Sequence, residues 1–171
     1  MVDTRLEKLQ REIGAATAGL SPEQLSWHPP RKWCAVEVIE HLYLTYTGTI
    51  KGFERFVAAG KAQTALPTWA QRRRKLVVLG FNYLPSGREA PPFTRPKGLP
   101  AEKVLAEIEG KIAEMDAAIA QCEAKMGGGK LLDHPILGPL TGGEWRKFHL
   151  VHGLHHVKQI WKLREGMTGR R

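Results

Sequence analysis

The stretch FHLVHGLHHVKQI, residues 148–160, is the segment that decides the fold. At ~100° of helical rotation per residue, His149, His152 and His156 lie within about 60° of one another on one face. The other side carries an apolar set. That set consists of Leu150, Leu154, Val157 and Trp161. A helix with two faces to bury is typical of a helix that contacts two neighbours, so this stretch indicates a helical bundle.

Three further segments carry apolar residues at alternating spacings of three and four, the pattern of amphipathic helices. They cover residues 6–20, about 33–60 and 101–126, and the last helix runs over about 141–165. No segment shows the sustained alternation of a strand. The pattern therefore predicts an all-α four-helix bundle that forms a single domain over residues 1–171.

The expected helix ends have sequence signals of their own. Gly60, Gly127 and Gly166 follow three of the apolar patterns, where glycine commonly ends a helix. Thr141 is the expected N-cap of the last helix, and Glu144 three residues later completes a capping box.

Residues 61–100 interrupt the helical pattern with six prolines and form a long connection between the second and third predicted helices. A short basic helix is expected within it, over Trp69–Phe81. Such a connection permits a crossover topology and can cover one end of the bundle. A packed surface excursion without a functional role is the alternative.

The composition narrows the classes of function. The 171 residues carry a net charge of +9, with the tightest positive clusters at Arg72–Lys75 and Arg170–Arg171. No nucleic-acid motif accompanies this charge, so nucleic-acid binding is not favoured. No apolar run approaches the roughly 20 residues of a membrane span, and no signal peptide is recognised. The two cysteines lie in no metal or redox motif, and we expect a cytoplasmic protein.

Histidines in the last helix indicate a metal site. His152 and His156 are four residues apart, the spacing at which two helical imidazoles can bind one transition metal. A third ligand has to come from elsewhere. Burying three imidazoles is costly unless a metal, a carboxylate or water satisfies their nitrogens. His28 and His134 neighbour prolines and are expected at the surface or in local hydrogen bonds.

Two motifs occur together in this chain, WCAVEVIEHL at residues 33–42 and HGLHHVKQI at residues 152–160. GPLT at 138–141 and Glu144-Trp145 accompany the second motif. Together these segments resemble the DinB/YfiT-like superfamily. The resemblance covers nearly the whole chain. It implies an up-down-down-up four-helix bundle and a divalent metal held by His41, His152 and His156. Cys34 departs from the serine usual in that motif, and we assign it no catalytic role.

The resemblance leaves alternatives within the site. His149, His152 and His156 form a rival ligand set, although one straight helix does not easily place three imidazoles around one ion. His149 is otherwise expected near the ligands or in the pocket wall. Glu37 and Gln159 are candidates to orient ligand imidazoles, with solvated surface as the alternative for Glu37. No catalytic residue is identified, and Glu37 and His149 are the candidates.

The second predicted helix has two faces to bury. His41 shares one with small and apolar residues, which leave room for a substrate. That set consists of Val38, Thr45, Gly48, Gly52 and Phe56. The stripe with Tyr43 and Tyr46 is expected to pack against another helix or a second subunit. Together with the resemblance, this second face predicts a homodimer.

A centre of three neutral histidines with an open position suits zinc or nickel and allows iron or manganese. Such a metal lowers the pKa of water for hydrolysis, or holds a thiol as thiolate for S-transfer. The resemblance includes thiol-dependent transferases that use low-molecular-weight thiols, and a hydrolase. We therefore expect a metal-dependent transferase or hydrolase acting on a small molecule. The alternative is a non-catalytic binding or stress-related bundle with a structural metal or none.

Overall fold

The computed structural model of the protein describes residues 1–60, 65–85, 87 and 89–168. Its helices are α1 (Thr4–Thr17), α2 (Pro22–Ser26), α3 (Ala35–Ala59), α4 (Trp69–Lys75), α5 (Ala101–Met126) and α6 (Gly142–Thr168). A π-helical turn at Leu76–Gly80 continues α4, and a 3-10 turn covers Pro92–Thr94. Strands β1 (Asp133–His134) and β2 (Gly138–Pro139) form a small antiparallel hairpin. The sequence pattern did not predict this hairpin.

The four long helices α1, α3, α5 and α6 correspond to the four predicted helices and share one hydrophobic core. α3 packs mainly along α5, and α1 packs mainly along α6. The largest fully buried side chains are Tyr46, Phe53, Leu6, Leu9, Ile13, Ile39, Leu42, Ile112, Met115, Ile119, Leu131 and Leu137. The all-α class is confirmed, whereas the up-down-down-up order of helix directions stays a prediction.

Most predicted helix ends are confirmed. Gly60 ends α3 in the left-handed conformation, with φ of 65°, and Gly127 ends α5 with φ of 81°. Thr141 and Glu144 form the predicted capping box, because each backbone N–H donates to the other's side chain. Gly166 was wrongly expected to end the last helix, which continues to Thr168. The Trp27 ring lies beside Gly166 instead, where a Cβ would come within 3.2 Å of it.

α6 buries its two faces unequally. His149, His156 and Val157 are buried, whereas His152, Leu150 and Leu154 are only partly buried. Trp161, predicted to be buried on the apolar face, is 39% exposed, and the Arg164 guanidinium lies 5.0 Å from its ring centre. Arg164 also donates to the backbone carbonyls of Ala16 and Ala18, so the last turns of α6 still contact the end of α1 while Trp161 lies partly in solvent.

The long connection carries the predicted basic helix, seen as α4 and the π-helical turn that follows it. Its later part is fixed to α3. Glu40 is fully buried, and its carboxylate accepts hydrogen bonds from the backbone N–H groups of Lys97 at 2.6 Å and Gly98 at 3.1 Å. The connection is thereby fixed beside His41, the next residue of α3. Residues 61–64 of the connection and the Arg170–Arg171 cluster lie outside the described residues.

A buried ion network joins three helices. The Arg146 side chain of α6 donates to Asp116 at 2.6 Å and to Glu123 at 2.7 Å, both on α5. Asp116 also accepts from the backbone N–H of Asp3 at the start of α1, at 2.7 Å. The side chains of Arg146 and Asp116 are 10% and 8% exposed. One arginine therefore links α6 to α5, and α5 in turn to α1.

Gly153 lies where α6 approaches α1 most closely. A Cβ at this position would overlap the fully buried side chain of Leu9. We expect Gly153→Ala to lower the free energy of unfolding by about 1–3 kcal/mol, because a packed core has no room for the extra atom. Urea denaturation measures this change.

Gly110→Ala is the matched control for that substitution, because no other described part of the chain, apart from the adjoining backbone of α5 itself, lies within 4 Å of the added Cβ. This variant should be neutral or more stable by up to about 1 kcal/mol, since alanine favours helix over glycine. If Gly153→Ala is as stable as Gly110→Ala, the close approach of α1 and α6 is wrong.

Glu144 joins α6 to α4 and to the chain before β1. Its carboxylate pairs with Lys75 at 2.6 Å and Lys130 at 2.7 Å. Burial alone raises the pKa of Glu144, but the hydrogen bonds from Lys130, Lys75 and the Thr141 backbone outweigh it and lower the pKa to about 2. The charged carboxylate is therefore favoured in the folded chain.

This lowered pKa gives a pH dependence of stability. Its contribution should be complete above the ordinary carboxyl pKa of 4.5 and should disappear as the pH falls from there to about 2. The difference in unfolding free energy between the protein and Glu144→Gln should shrink over that range in urea denaturation. Glu54→Gln, an exposed change on α3, is the control. A difference that stays constant over this range contradicts the assignment.

No helix within the described residues is both long enough and apolar enough to cross a membrane.

Candidate metal centre

Three imidazoles from two helices meet beside the long connection. His41 comes from α3, and His152 and His156 lie one turn apart on α6. The Nε2 atom of His152 is 3.3 Å from Nε2 of His41 and 3.1 Å from Nε2 of His156. All three ligand atoms lie within 4.8 Å of one another, close enough to hold one ion. The structure thus brings together the three histidines singled out by the resemblance.

The outer nitrogens of two of these rings are held by protein oxygens. Nδ1 of His41 lies 2.8 Å from the backbone carbonyl of Thr94, and Nδ1 of His156 lies 2.9 Å from Oε1 of Gln159. Because an oxygen of this kind can only accept, each Nδ1 carries the proton and each Nε2 presents a lone pair to the cluster. The predicted contact between Gln159 and an imidazole of the cluster is therefore present.

Burial keeps this cluster neutral. Burial lowers the pKa of His41, and it lowers that of His156 to about 3, with the nearby His41 adding to the effect. Burial and the neighbouring imidazoles also hold the pKa of His152 well below its usual value. The neutral ring is the form that binds metals. All three rings are therefore in the ligand form at neutral pH.

The donor set fits a metal better than a hydrogen-bonded cluster. If the His152 proton is on Nε2, it can donate to His41 or His156, but Nδ1 then becomes a buried acceptor. That Nδ1 has no partner among the described residues. A cation shared by the three Nε2 atoms satisfies all of them at once and leaves Nδ1–H on His152 as the one unpaired group. Three neutral nitrogen donors are a common zinc set.

His149 does not join the cluster. Its ring is fully buried, stacks on Trp145 at 5.7 Å and meets the Tyr46 ring edge-on at 5.5 Å. Neither ring nitrogen has a hydrogen-bond partner among the described residues, and burial lowers its pKa to about 3. The rival ligand set of His149, His152 and His156 is therefore not assembled in the described part of the chain. His149 lies behind the cluster, not in a pocket wall.

Glu37 has a helix-capping role. Its carboxylate accepts from the backbone N–H of Cys34 at 2.8 Å, at the start of α3. The interpretation that Glu37 orients a ligand imidazole is wrong, because the Thr94 carbonyl occupies Nδ1 of His41. The Cys34–Glu37 spacing is that of a capping box, which explains the carboxylate's position. The surface interpretation of Glu37 is also incomplete, since its side chain is partly buried.

The two loop histidines differ from each other. His28 is exposed and lies 3.0 Å from the carbonyl of Pro29. His134 is buried, and its Nδ1 accepts from the backbone N–H groups of Ile136 and Leu137 inside the hairpin. Of the two expected placements, local hydrogen bonding is therefore the one found, and the Phe148 ring covers His134 at 4.3 Å.

The cluster lies at the side of a cleft of about 1620 Å³, hereafter the cleft. α3, α4, the later connection, the β1–β2 hairpin and α6 border it. From α3 it is lined by Val38, His41, Thr45, Gly48 and Thr49. The room beside His41 that the small residues of this face predicted is therefore present. The sequence left open whether the connection has a functional role or is only a packed surface excursion. In the structure the later part of the connection forms one wall of the cleft.

The other face of α3 is covered within the chain. Tyr46 is fully buried against α6, and the Tyr43 hydroxyl donates to Glu107 of α5 at 2.7 Å. The stripe with Tyr43 and Tyr46 thus packs against other helices of the same chain. One reason for expecting a homodimer is removed, and the homodimer itself stays a prediction.

The sequence analysis did not identify several residues that contact the three histidines. Trp33 lies 5.3 Å from the His41 ring, and Phe148 stacks on the His152 ring at 5.5 Å. Thr94 contributes only its backbone carbonyl, for which no sequence signal exists. Trp33 stands in the quoted helix-start motif and Phe148 one turn before His152, so their positions carried a usable signal.

The helical fold and the three converging histidines beside a cleft place this chain among all-α proteins with a candidate metal centre. A family model described as the DinB superfamily matches residues 5–160. The chain therefore belongs to the DinB superfamily. Comparisons with curated proteins and with solved structures gave no match.

Gln159→Leu tests the support of His156. Losing the oxygen that holds Nδ1 should weaken zinc binding by roughly 10–100-fold, because such partners fix the ring and raise its basicity. A competition titration against a zinc-binding dye measures the affinity. Lys158→Gln, an exposed neighbour, is the control and should bind zinc as the unchanged protein does. Equal affinities in the two variants contradict the role of Gln159.

Proposed function

We propose that the protein is a metal-dependent enzyme in which His41, His152 and His156 hold one divalent metal beside a substrate cleft. The observation that carries the proposal is the convergence of three Nε2 atoms within 4.8 Å at the wall of an open cleft of about 1620 Å³. Zinc or nickel suits the three neutral imidazoles best, and iron or manganese is allowed. The bound metal would supply Lewis acidity.

The reaction we propose is transfer to a low-molecular-weight thiol or hydrolysis of a small molecule. Three protein ligands leave further coordination positions for a substrate, as in catalytic rather than closed structural sites. The three histidines line the cleft, which has room for a small molecule and its cosubstrate. Membership of the superfamily supports this class of chemistry.

The chain's own residues support the site in three ways. The Thr94 carbonyl and Gln159 orient two of the imidazoles. The rings of Trp33 and Phe148 flank His41 and His152 and reduce the access of water. Glu40 fixes the connection that carries Thr94. Together these contacts preorganise the ligands before any metal binds.

Two further features that the resemblance implies belong to the same proposal, namely helix directions in up-down-down-up order and a homodimer. The cytoplasmic location expected from the sequence belongs to it as well. Sedimentation at high concentration tests the dimer, and a monomer there contradicts it.

Untagged protein reloaded with zinc, nickel, iron or manganese tests the proposed activity. A thiol with a chromogenic electrophile reports S-transfer, and a p-nitrophenyl ester reports hydrolysis. We expect turnover that disappears with a chelator and in His156→Ala but persists in His28→Ala, which removes an exposed histidine. Stoichiometric metal without turnover of either kind supports the non-catalytic alternative instead.

A further inference from the structure

The charged side chains that border the cleft do not balance. Among the described residues six are cationic, namely Arg31, Lys32, Arg73, Arg74, Arg95 and Lys162, and two are carboxylates, Glu89 and Asp133. Glu89 is used by Arg95, at 2.7 Å. Asp133 accepts from the backbone N–H of Ala65 and forms no ion pair among the described residues. Even with Asp133 counted against them, the cations are in clear excess.

α4 contributes two of these cations, Arg73 and Arg74, to the border of the cleft, and the Arg73 guanidinium also lies 4.9 Å from the centre of the Trp69 ring. Ala70, Arg73, Arg74 and Val77 all border the cleft, and their spacing of three and four places them on one helix face. Lys75, from the same basic run, does not border the cleft and pairs with Glu144. Lys75 of this basic run therefore binds α6, whereas Arg73 and Arg74 have no carboxylate partner within the described residues.

Below this basic rim the walls are apolar. Trp33, Val78, Leu137 and Phe148 line the cleft, with the Trp33 ring beside His41 and the Phe148 ring on His152. Phe148 and Val78 are nearly covered by protein and still border the cleft. A ligand that fills this space needs an apolar body against the rings and a negative group at the rim.

We propose that the cleft binds a small amphiphilic anion, with its apolar body between Trp33 and Phe148 and its negative group on Arg73 and Arg74. This inference rests on the proposed function, whose substrate class it names. A carboxylate, sulfonate or phosphate group would serve, because a guanidinium binds each of them through paired N–H groups. The rim also explains why the basic charge of α4 is placed beside the site.

Two fluorescent probes of similar size test the proposal on the metal-loaded protein. One is the anion 8-anilinonaphthalene-1-sulfonate, and the other is uncharged N-phenyl-1-naphthylamine. The double variant Arg73→Gln with Arg74→Gln should bind the sulfonate about tenfold more weakly, because charge-assisted hydrogen bonds are lost. It should bind the uncharged probe as before. Arg11→Gln with Arg55→Gln removes the same charge from exposed positions outside the cleft and should leave both affinities unchanged.

Either of two results would overturn the proposal. One is an α4 double variant that binds the sulfonate as tightly as the unchanged protein. The other is a non-specific loss of affinity, seen either equally for both probes or equally in the control variant. Zinc affinity of the same proteins separates this proposal from the proposed function. Loss of the sulfonate site with normal zinc binding leaves the metal centre intact, whereas sulfonate binding by a protein that takes up no zinc leaves only the anion site.

Discussion

Alanine at His41, His152 or His156 should weaken zinc binding by at least about 100-fold, more than loss of a supporting hydrogen bond does. Each substitution removes one of three nitrogen donors that lie within 4.8 Å of one another. His149 cannot replace the lost ligand, because its ring is packed between Trp145 and Tyr46 and cannot turn into the vacant place. Only two imidazoles then remain to bind the ion. A competition titration with untagged protein measures the three affinities.

His28→Ala and His149→Ala complete that experiment. His28 is exposed and far from the cluster in sequence, so its loss controls for binding by surface histidines. His149→Ala tests the rival ligand set on α6. If His41→Ala keeps full affinity while His149→Ala loses it, the ion is held by α6 alone and the centre described above is wrong.

Arg146→Ala should lower the free energy of unfolding by about 3–5 kcal/mol, the usual loss when one partner of a buried ion pair is removed. The substitution leaves Asp116, only 8% exposed, without its charged partner, and it also frees Glu123. α6 carries both Arg146 and two of the three histidines, so the network fixes the helix that carries most of the site. Urea denaturation monitored by circular dichroism gives the change.

Arg95→Ala is the matched control for Arg146→Ala. Arg95 also pairs with a carboxylate, but the two side chains are 50% and 87% exposed. Exposed pairs of this kind contribute less than about 1 kcal/mol. If the two arginine substitutions cost the same, the Arg146 network does not hold the helices together as described.

The long helices could be predicted because their apolar spacing records which face is buried. The predicted range 101–126 coincides with α5, and Cys122 is fully buried there, as a core position should be. The predictions from residue spacing failed at positions where a residue's local sequence signal and its burial in the folded chain disagree. Gly166 looked like a helix end but makes room for Trp27, and Trp161 looked buried but is 39% exposed.

The site was predictable in a different way. The spacing of His152 and His156 follows from helix geometry, whereas His41 came from the resemblance, since no local pattern joins residues 111 positions apart. Thr94 and Glu40 could not be found, because their roles depend on the path of the connection. A backbone carbonyl and a carboxylate that binds backbone N–H groups leave no mark in the residue spacing. Glu37 was misassigned because a capping carboxylate and one that supports a ligand have the same spacing from the helix start.

X-ray absorption spectroscopy of untagged, zinc-loaded protein tests the three-histidine centre most directly. The account predicts one zinc per chain with three imidazole nitrogens at about 2.0–2.1 Å and oxygen or nitrogen atoms, not sulfur, in the remaining positions. The same measurement on His156→Ala should show either no bound zinc or two imidazoles. A spectrum of the unchanged protein with sulfur ligands from Cys34 or Cys122, or with fewer than three imidazoles, would contradict the centre formed by His41, His152 and His156.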